Sequence, residues 1–159
     1  MKLSELTVGR LLNLYAGTVK GLRQREVIAS NDVVGGYAAT LLCRALRLRP
    51  EPVNKKSYDA TDTTGKRYQL KGRWRSGRNP ALLVQMKDTE FEYLAVVLFN
   101  ENLSVTRACR IPVALFRELA LRYKGSWRLR MGDSVWRSDG VEDISRRTTT
   151  AAAWIGRQR

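Results

Sequence analysis

Histidine is absent from the 159 residues, and cysteine occurs only twice. Without histidine, Ser–His and Cys–His catalytic pairs are excluded. Two thiols alone do not make a structural zinc site. Cys43 and Cys109 both sit in apolar sequence and are expected to be reduced core thiols, with no disulfide in a chain of cytosolic character. No apolar run approaches the roughly 20 residues of a membrane span. The start, Met1-Lys2-Leu3-Ser4-Glu5-Leu6, lacks the apolar run of a secretory signal. No helix pairs a clean basic face with a bulky aromatic one, so a membrane partner is not expected and a cytoplasmic location is. Acidic residues are scarce too: 15 Asp+Glu stand against 29 Lys+Arg, a formal net charge of +14. Such an excess points to a polyanion, because cationic side chains release the counterions held around phosphates.

What is present fits one α/β domain over residues 1–159. Its parts are an N-terminal helix in 1–29, a core in 30–120 and an extension in 121–159. Ser4 is a suitable N-cap, and Leu11, Leu12, Tyr15, Val19 and Leu22 recur at helical spacing up to about Ile28. A second helix is expected from Val33 to about Leu48, stopped by Pro50 and Pro52. Residues 55–73 read as a β-hairpin around a turn rich in Asp, Thr and Gly. Tyr93 to Phe99 is nearly all apolar and reads as a buried central strand, with Leu103 to Arg110 as its partner. Pro112 suits the first position of a helix running to about Tyr123. Trp127–Met131 and Val135–Arg137 read as edge strands, and the tail from Asp143 as a helix. The result is a small mixed sheet flanked by helices.

The hairpin turn decides which side chains meet. A three-residue loop, Thr63-Thr64-Gly65, places glycine in the left-handed position and pairs Asp62 with Lys66. Asp59 then lies opposite Gln69, and Ser57 opposite Lys71. Alternation puts Asp59, Gln69 and Lys71 on one face, and Tyr58, Ala60, Tyr68 and Leu70 on the other. A two-residue loop would separate Asp59 from Gln69. An acid, an amide and an amine on one face make a candidate phosphodiester site. Asp59 and Gln69 supply the hard oxygens that Mg²⁺ (or Mn²⁺) prefers, and Lys71 would sit at the scissile phosphate. The alternative is a solvated hairpin whose polar face does no chemistry.

Asp59 followed by Gln69-Leu70-Lys71 resembles the Asp…(Glu/Asp/Gln)-x-Lys signature of the PD-(D/E)xK nuclease superfamily. The helix opening at Asn31-Asp32-Val33-Val34-Gly35-Gly36-Tyr37-Ala38 and the strand Phe91–Val97 extend the likeness over roughly residues 30–120. The combination is similar to small bacterial proteins of unknown function that often travel on mobile genetic elements. The resemblance implies a restriction-endonuclease-like core, Asp59 and Gln69 as metal ligands, and Lys71 as the catalytic lysine. In similar proteins the preceding helix often supplies a glutamate just after the Gly-x-Tyr-Ala stretch; here that place is Ala39.

Arg73, Trp74, Arg75 and Arg78 follow the lysine, and Lys55 and Lys56 precede Asp59. Basic side chains around an aromatic suit phosphate contact plus base stacking. Arg146, Arg147, Arg157 and Arg159 form either a second patch or a solvated tail. Three functions remain open: a metal-dependent nuclease acting on nucleic acid, DNA in the first place; a catalytically inactive nucleic-acid-binding module on the same fold; and an accessory interaction protein of a mobile element. Cutting both strands of a duplex would call for two copies of the site, which leaves a homodimer open.

Overall fold

The computed structural model describes residues 1–52, 57–75 and 82–158. It is a mixed α/β structure. Helix α1 spans Val8–Gln24 and α2 spans Val33–Leu46. Strands β1 (Arg49–Pro50), β2 (Ala60–Thr61), β3 (Arg67–Trp74) and β4 (Leu83–Met86) follow, then β5 (Tyr93–Phe99) and β6 (Val105–Pro112). Helix α3 (Val113–Leu119), β7 (Leu121–Tyr123), β8 (Ser126–Arg130), α4 (Asp133–Trp136), β9 (Glu142–Asp143) and α5 (Ser145–Gly156) complete the chain.

Six strands form the main sheet in the order β1-β2-β3-β5-β6-β9, and β4-β8-β7 form a second, smaller one. β3 and β5 run parallel; the other pairs of the main sheet are antiparallel. β5 is central and apolar almost throughout because both of its faces are covered. Ala95, Val97 and Phe99 face a core shared with α2 and α5, through Ala38, Leu41, Leu42 and Ala151. Leu94, Val96 and Leu98 face the opposite core, which Val84, Met86 and Leu129 of the small sheet close together with Met131 and with Phe116 of α3. The main sheet is thus the middle of three layers.

Several local expectations change. Thr7, not Ser4, caps α1, its side chain accepting from the Arg10 N–H at 3.4 Å. The apolar stripe of α1 stays largely exposed, with Val19 its buried member. α2 stops at Leu46 because Arg47 turns left-handed (φ 55°), which frees Arg49–Pro50 to pair with β2. The partner of β5 is shifted toward the C-terminus, to Val105–Pro112, and Pro112 caps α3 rather than opening it. That helix ends at Leu119, and Leu121–Tyr123 is a strand, not helix. Val135–Arg137 is not a strand: Asp133–Trp136 forms a helical turn. The C-terminal helix is present, Thr148 and Thr150 bonding back to the Ile144 and Arg146 carbonyls.

Gly72 lets α2 approach β3. A Cβ there would lie 2.5 Å from the Ala38 Cβ and 3.2 Å from the Val34 carbonyl oxygen. Gly72→Ala should therefore cost about 1–3 kcal/mol of stability in urea denaturation. Ala38→Gly in the same chain should recover part of that loss. An unchanged midpoint would contradict this packing.

Candidate functional site

The site begins with the turn. Gly65 adopts φ +84°, and Asp62 Oδ1 accepts from the Thr64 N–H, the Thr64 hydroxyl and the Lys66 N–H. This Asx-type cap fixes the three-residue loop. It sets Ala60 opposite Tyr68 and Thr61 opposite Arg67. Continued one step, this register brings Asp59 to Gln69, as the sequence predicts.

Regular pairing stops at Ala60. The Asp59 N–H donates to the Tyr68 carbonyl at 2.8 Å, and Asp59 Oδ2 accepts the Leu70 N–H at 2.7 Å. A carboxylate oxygen therefore takes the place that a neighbouring strand's carbonyl would fill. The same oxygen accepts from Gln69 Nε2 at 2.7 Å. Tyr68, Leu70 and Gly72 are buried against α2, while Gln69, Lys71 and Arg73 alternate to the other side and are half-buried. Asp59, Gln69 and Lys71 come together along the edge of β3, in a cleft of about 1200 Å³ that also takes in Asp32, Ala39 and Cys43.

The electrostatics of the cleft are those of charges short of water. Burial pushes the Asp59 carboxyl above its ordinary range; the Leu70 N–H, the Lys71 charge and the Gln69 amide pull the other way. Burial pushes Lys71 down, Asp59 and Asp32 hold it up, and Arg73 adds to the depression. Burial also lowers Arg73, against the charge of Asp32. Cys43, a free thiol, is pushed up to about 11 by burial and then by Asp59. Both effects disfavour the thiolate form.

Asp59 Oδ1 and Gln69 Oε1 accept no hydrogen bond among the described residues. The Gln69 amide turns its nitrogen to Asp59, so a carboxylate oxygen and an amide oxygen would suit a hard divalent cation that keeps most of its waters once that amide is turned over. The fit is a sparse one. Among the described residues no group of three or more His, Cys, Asp or Glu is placed to hold a metal. Ala39 lines the cleft with a methyl group where the resemblance expects a carboxylate.

The flanking basic residues divide. Lys55, Lys56 and Arg78 lie outside the described residues. Arg73 and Trp74 belong to β3 rather than to a loop. The Arg73 guanidinium donates to the Leu83 carbonyl at 2.5 Å and to the Gly72 carbonyl at 2.7 Å, tying β3 to β4. Trp74 is 44% exposed and donates to the Glu101 carbonyl at 3.2 Å. Arg75 is exposed, its N–H held by the Phe99 carbonyl at 2.9 Å. Sequence reasoning placed Asp32 only at the opening of α2 and missed its charge on Lys71 and Arg73. It also missed Glu51, whose N–H donates to the Asp59 carbonyl at 2.8 Å. A side chain's reach into a cleft leaves no local pattern.

The raised Asp59 carboxyl carries a sign. Its neutral form is favoured by the fold, so its contribution to stability is full below the ordinary carboxylate range and lost as pH rises through its raised value. Asp59→Asn keeps an acceptor for the Leu70 N–H and removes the charge. Its stability relative to wild type should therefore improve from acid to neutral pH, read by paired denaturant titrations. Asp59→Ala removes the acceptor and should cost about 1–3 kcal/mol at neutral pH. A difference between Asn and wild type that does not change with pH would contradict the assignment.

No protein-family model matches the chain, and no curated protein sequence matches it.

Proposed function

We propose that this protein hydrolyses phosphodiester bonds of nucleic acid, DNA in the first place, in the cleft at the edge of β3, on a restriction-endonuclease-like core. The observation that carries the reading is the convergence of Asp59, Gln69 and Lys71 on one side of that strand, held by the Leu70 N–H and the Gln69 amide. The net charge of +14 supplies the attraction for the polyanion. The Lys71 ammonium binds a non-bridging phosphate oxygen and offsets the charge that builds on it as the bond breaks. Asp59, immobilised by its two donors, and Gln69 are the residues that would hold Mg²⁺ or Mn²⁺. Bound there, the cation supplies a more acidic water and polarises the phosphoryl oxygen. Asp32 helps keep Lys71 protonated as it enters the poorly hydrated cleft.

A second reading is a binding module that holds nucleic acid without cutting it. Ala39 and the lack of a three-acid group among the described residues favour it. One carboxylate beside a lysine is a weak metal site.

A cleavage assay on DNA and RNA with Mg²⁺ or Mn²⁺ decides between them. Wild type should cut, and Lys71→Ala and Asp59→Ala should each lose about 100-fold or more in rate. Ala39→Glu should lower the metal concentration needed. Salt-sensitive binding with no cleavage by any of these proteins would leave the binding module.

A further inference from the structure

The small sheet carries a feature that the cleft does not use. Leu121–Tyr123 and Ser126–Arg130 form a hairpin closed by Lys124 (φ 46°) and Gly125 (φ 76°), with Tyr123 opposite Ser126 and Leu121 opposite Arg128. Two positive φ values in a two-residue loop make the tight turn whose twist matches its strands. Alternation turns Trp127 and Leu129 inward, where they pack with Phe116 and its neighbours. Leu121, Tyr123, Arg128 and Arg130 then share the outer face. Leu121 is 75% exposed and Tyr123 47% exposed. The Arg128 guanidinium lies 4.2 Å over the Tyr123 ring, and its Nε is shielded from solvent with no hydrogen-bond partner among the described residues.

From Leu119 to Gly132 there is no acidic residue, while Arg122, Lys124, Arg128 and Arg130 are all cationic. None of these four forms an ion pair with a carboxylate among the described residues, whereas Arg67, Arg107, Arg110 and Arg147 each do. Arg122 lies on the other side with its strand partner Trp127, so the outer face takes its charge from Arg128, Arg130 and the turn's Lys124; it is basic and unneutralised, and it displays a ring, a guanidinium stacked on it, and an exposed leucine. Charge alone would suit any polyanion. An exposed ring–guanidinium stack beside an apolar side chain suits a polyanion that also offers flat apolar surfaces, which is nucleic acid with its bases unpaired. A duplex hides its base faces and would use only the cations.

We propose that the outer face of the β7–β8 hairpin is a platform for single-stranded nucleic acid. Bases stack on Tyr123 and Arg128 and against Leu121, while Arg130 and Lys124 contact phosphates. The proposal rests on the reading of this protein as one that acts on nucleic acid, and it adds the kind of strand that the protein holds. Arg73 joins the two surfaces: it belongs to the strand bearing Lys71 and bonds to Leu83, the first residue of β4 in the small sheet.

The test is fluorescence anisotropy without divalent metal, using labelled oligo-dT, oligo-rU and a mixed-sequence duplex. Tyr123→Ala should weaken oligo-dT binding by about 10-fold, in line with the worth of one base stacked on an aromatic ring. Tyr123→Phe should bind as wild type, and duplex affinity should change much less. Leu121→Ser should weaken single-strand binding in the same sense. Arg130→Gln should reduce the salt slope on single strands by about 0.7. Oligo-rU binding as well as oligo-dT would extend the platform to RNA; a preference for either keeps it.

The proposal is overturned if Tyr123→Ala and Leu121→Ser, both folded by circular dichroism, bind oligo-dT as wild type does. It is also overturned if Tyr123→Ala weakens duplex equally, or if polyglutamate displaces oligo-dT from wild type as well as from Tyr123→Ala. Lys71→Ala separates this surface from the cleft: it should lower cleavage by about 100-fold or more, and adding Tyr123→Ala to it should still weaken oligo-dT binding by about 10-fold. Failure of cleavage in wild type would remove the nuclease reading while the Tyr123 comparison still decides the platform.

Discussion

The candidate site depends on one interaction: the Asp59 carboxylate accepting the Leu70 N–H of β3. β2 is only two residues long, so β3 runs on beyond its antiparallel neighbour. A buried backbone N–H without an acceptor would cost about 1–3 kcal/mol. A side chain supplies the acceptor instead of a strand, and so a charge is brought to the sheet edge, where Gln69 and Lys71 also emerge. The Asx turn at Asp62–Gly65 upholds this arrangement by fixing the register. Gly72 upholds it as well, by letting α2, which also lines the cleft, pack closely on β3.

The same arrangement carries an electrostatic cost. Asp59, Lys71 and Arg73 are each moved by burial toward their uncharged forms, and each is partly restored by an opposite charge nearby. A fold optimised for stability alone would fill this edge with apolar side chains or another strand. Retaining an acid, an amide and two bases in one partly dry cleft is the pattern expected where stability is given up for binding or chemistry.

Much of this was legible in the sequence because it is local. The loop Thr63-Thr64-Gly65 dictated the register, and alternation then dictated which face held Gln69 and Lys71. The unbroken apolar run of β5 announced a strand buried on both sides. The losses have physical reasons as well. Leu121–Tyr123 follows a helix without a break that composition could mark, and its strand character comes from pairing with β8. β4 is four residues long and is defined by the same small sheet. Asp32 gives the signal of a helix cap and performs that role, accepting the Gly35 N–H at 2.9 Å. Its second role, on Lys71, arises only when α2 is laid across β3.

We propose that Asp59 and Gln69, at the edge of β3, supply oxygen ligands to a divalent cation beside Lys71. The most direct measurement is anomalous diffraction from a crystal of the protein soaked in Mn²⁺. The account predicts an anomalous peak at coordination distance from both Asp59 and Gln69, and no such peak in a crystal of Asp59→Asn soaked in the same way. Manganese bound elsewhere, with the cleft empty in the wild-type protein, would contradict it.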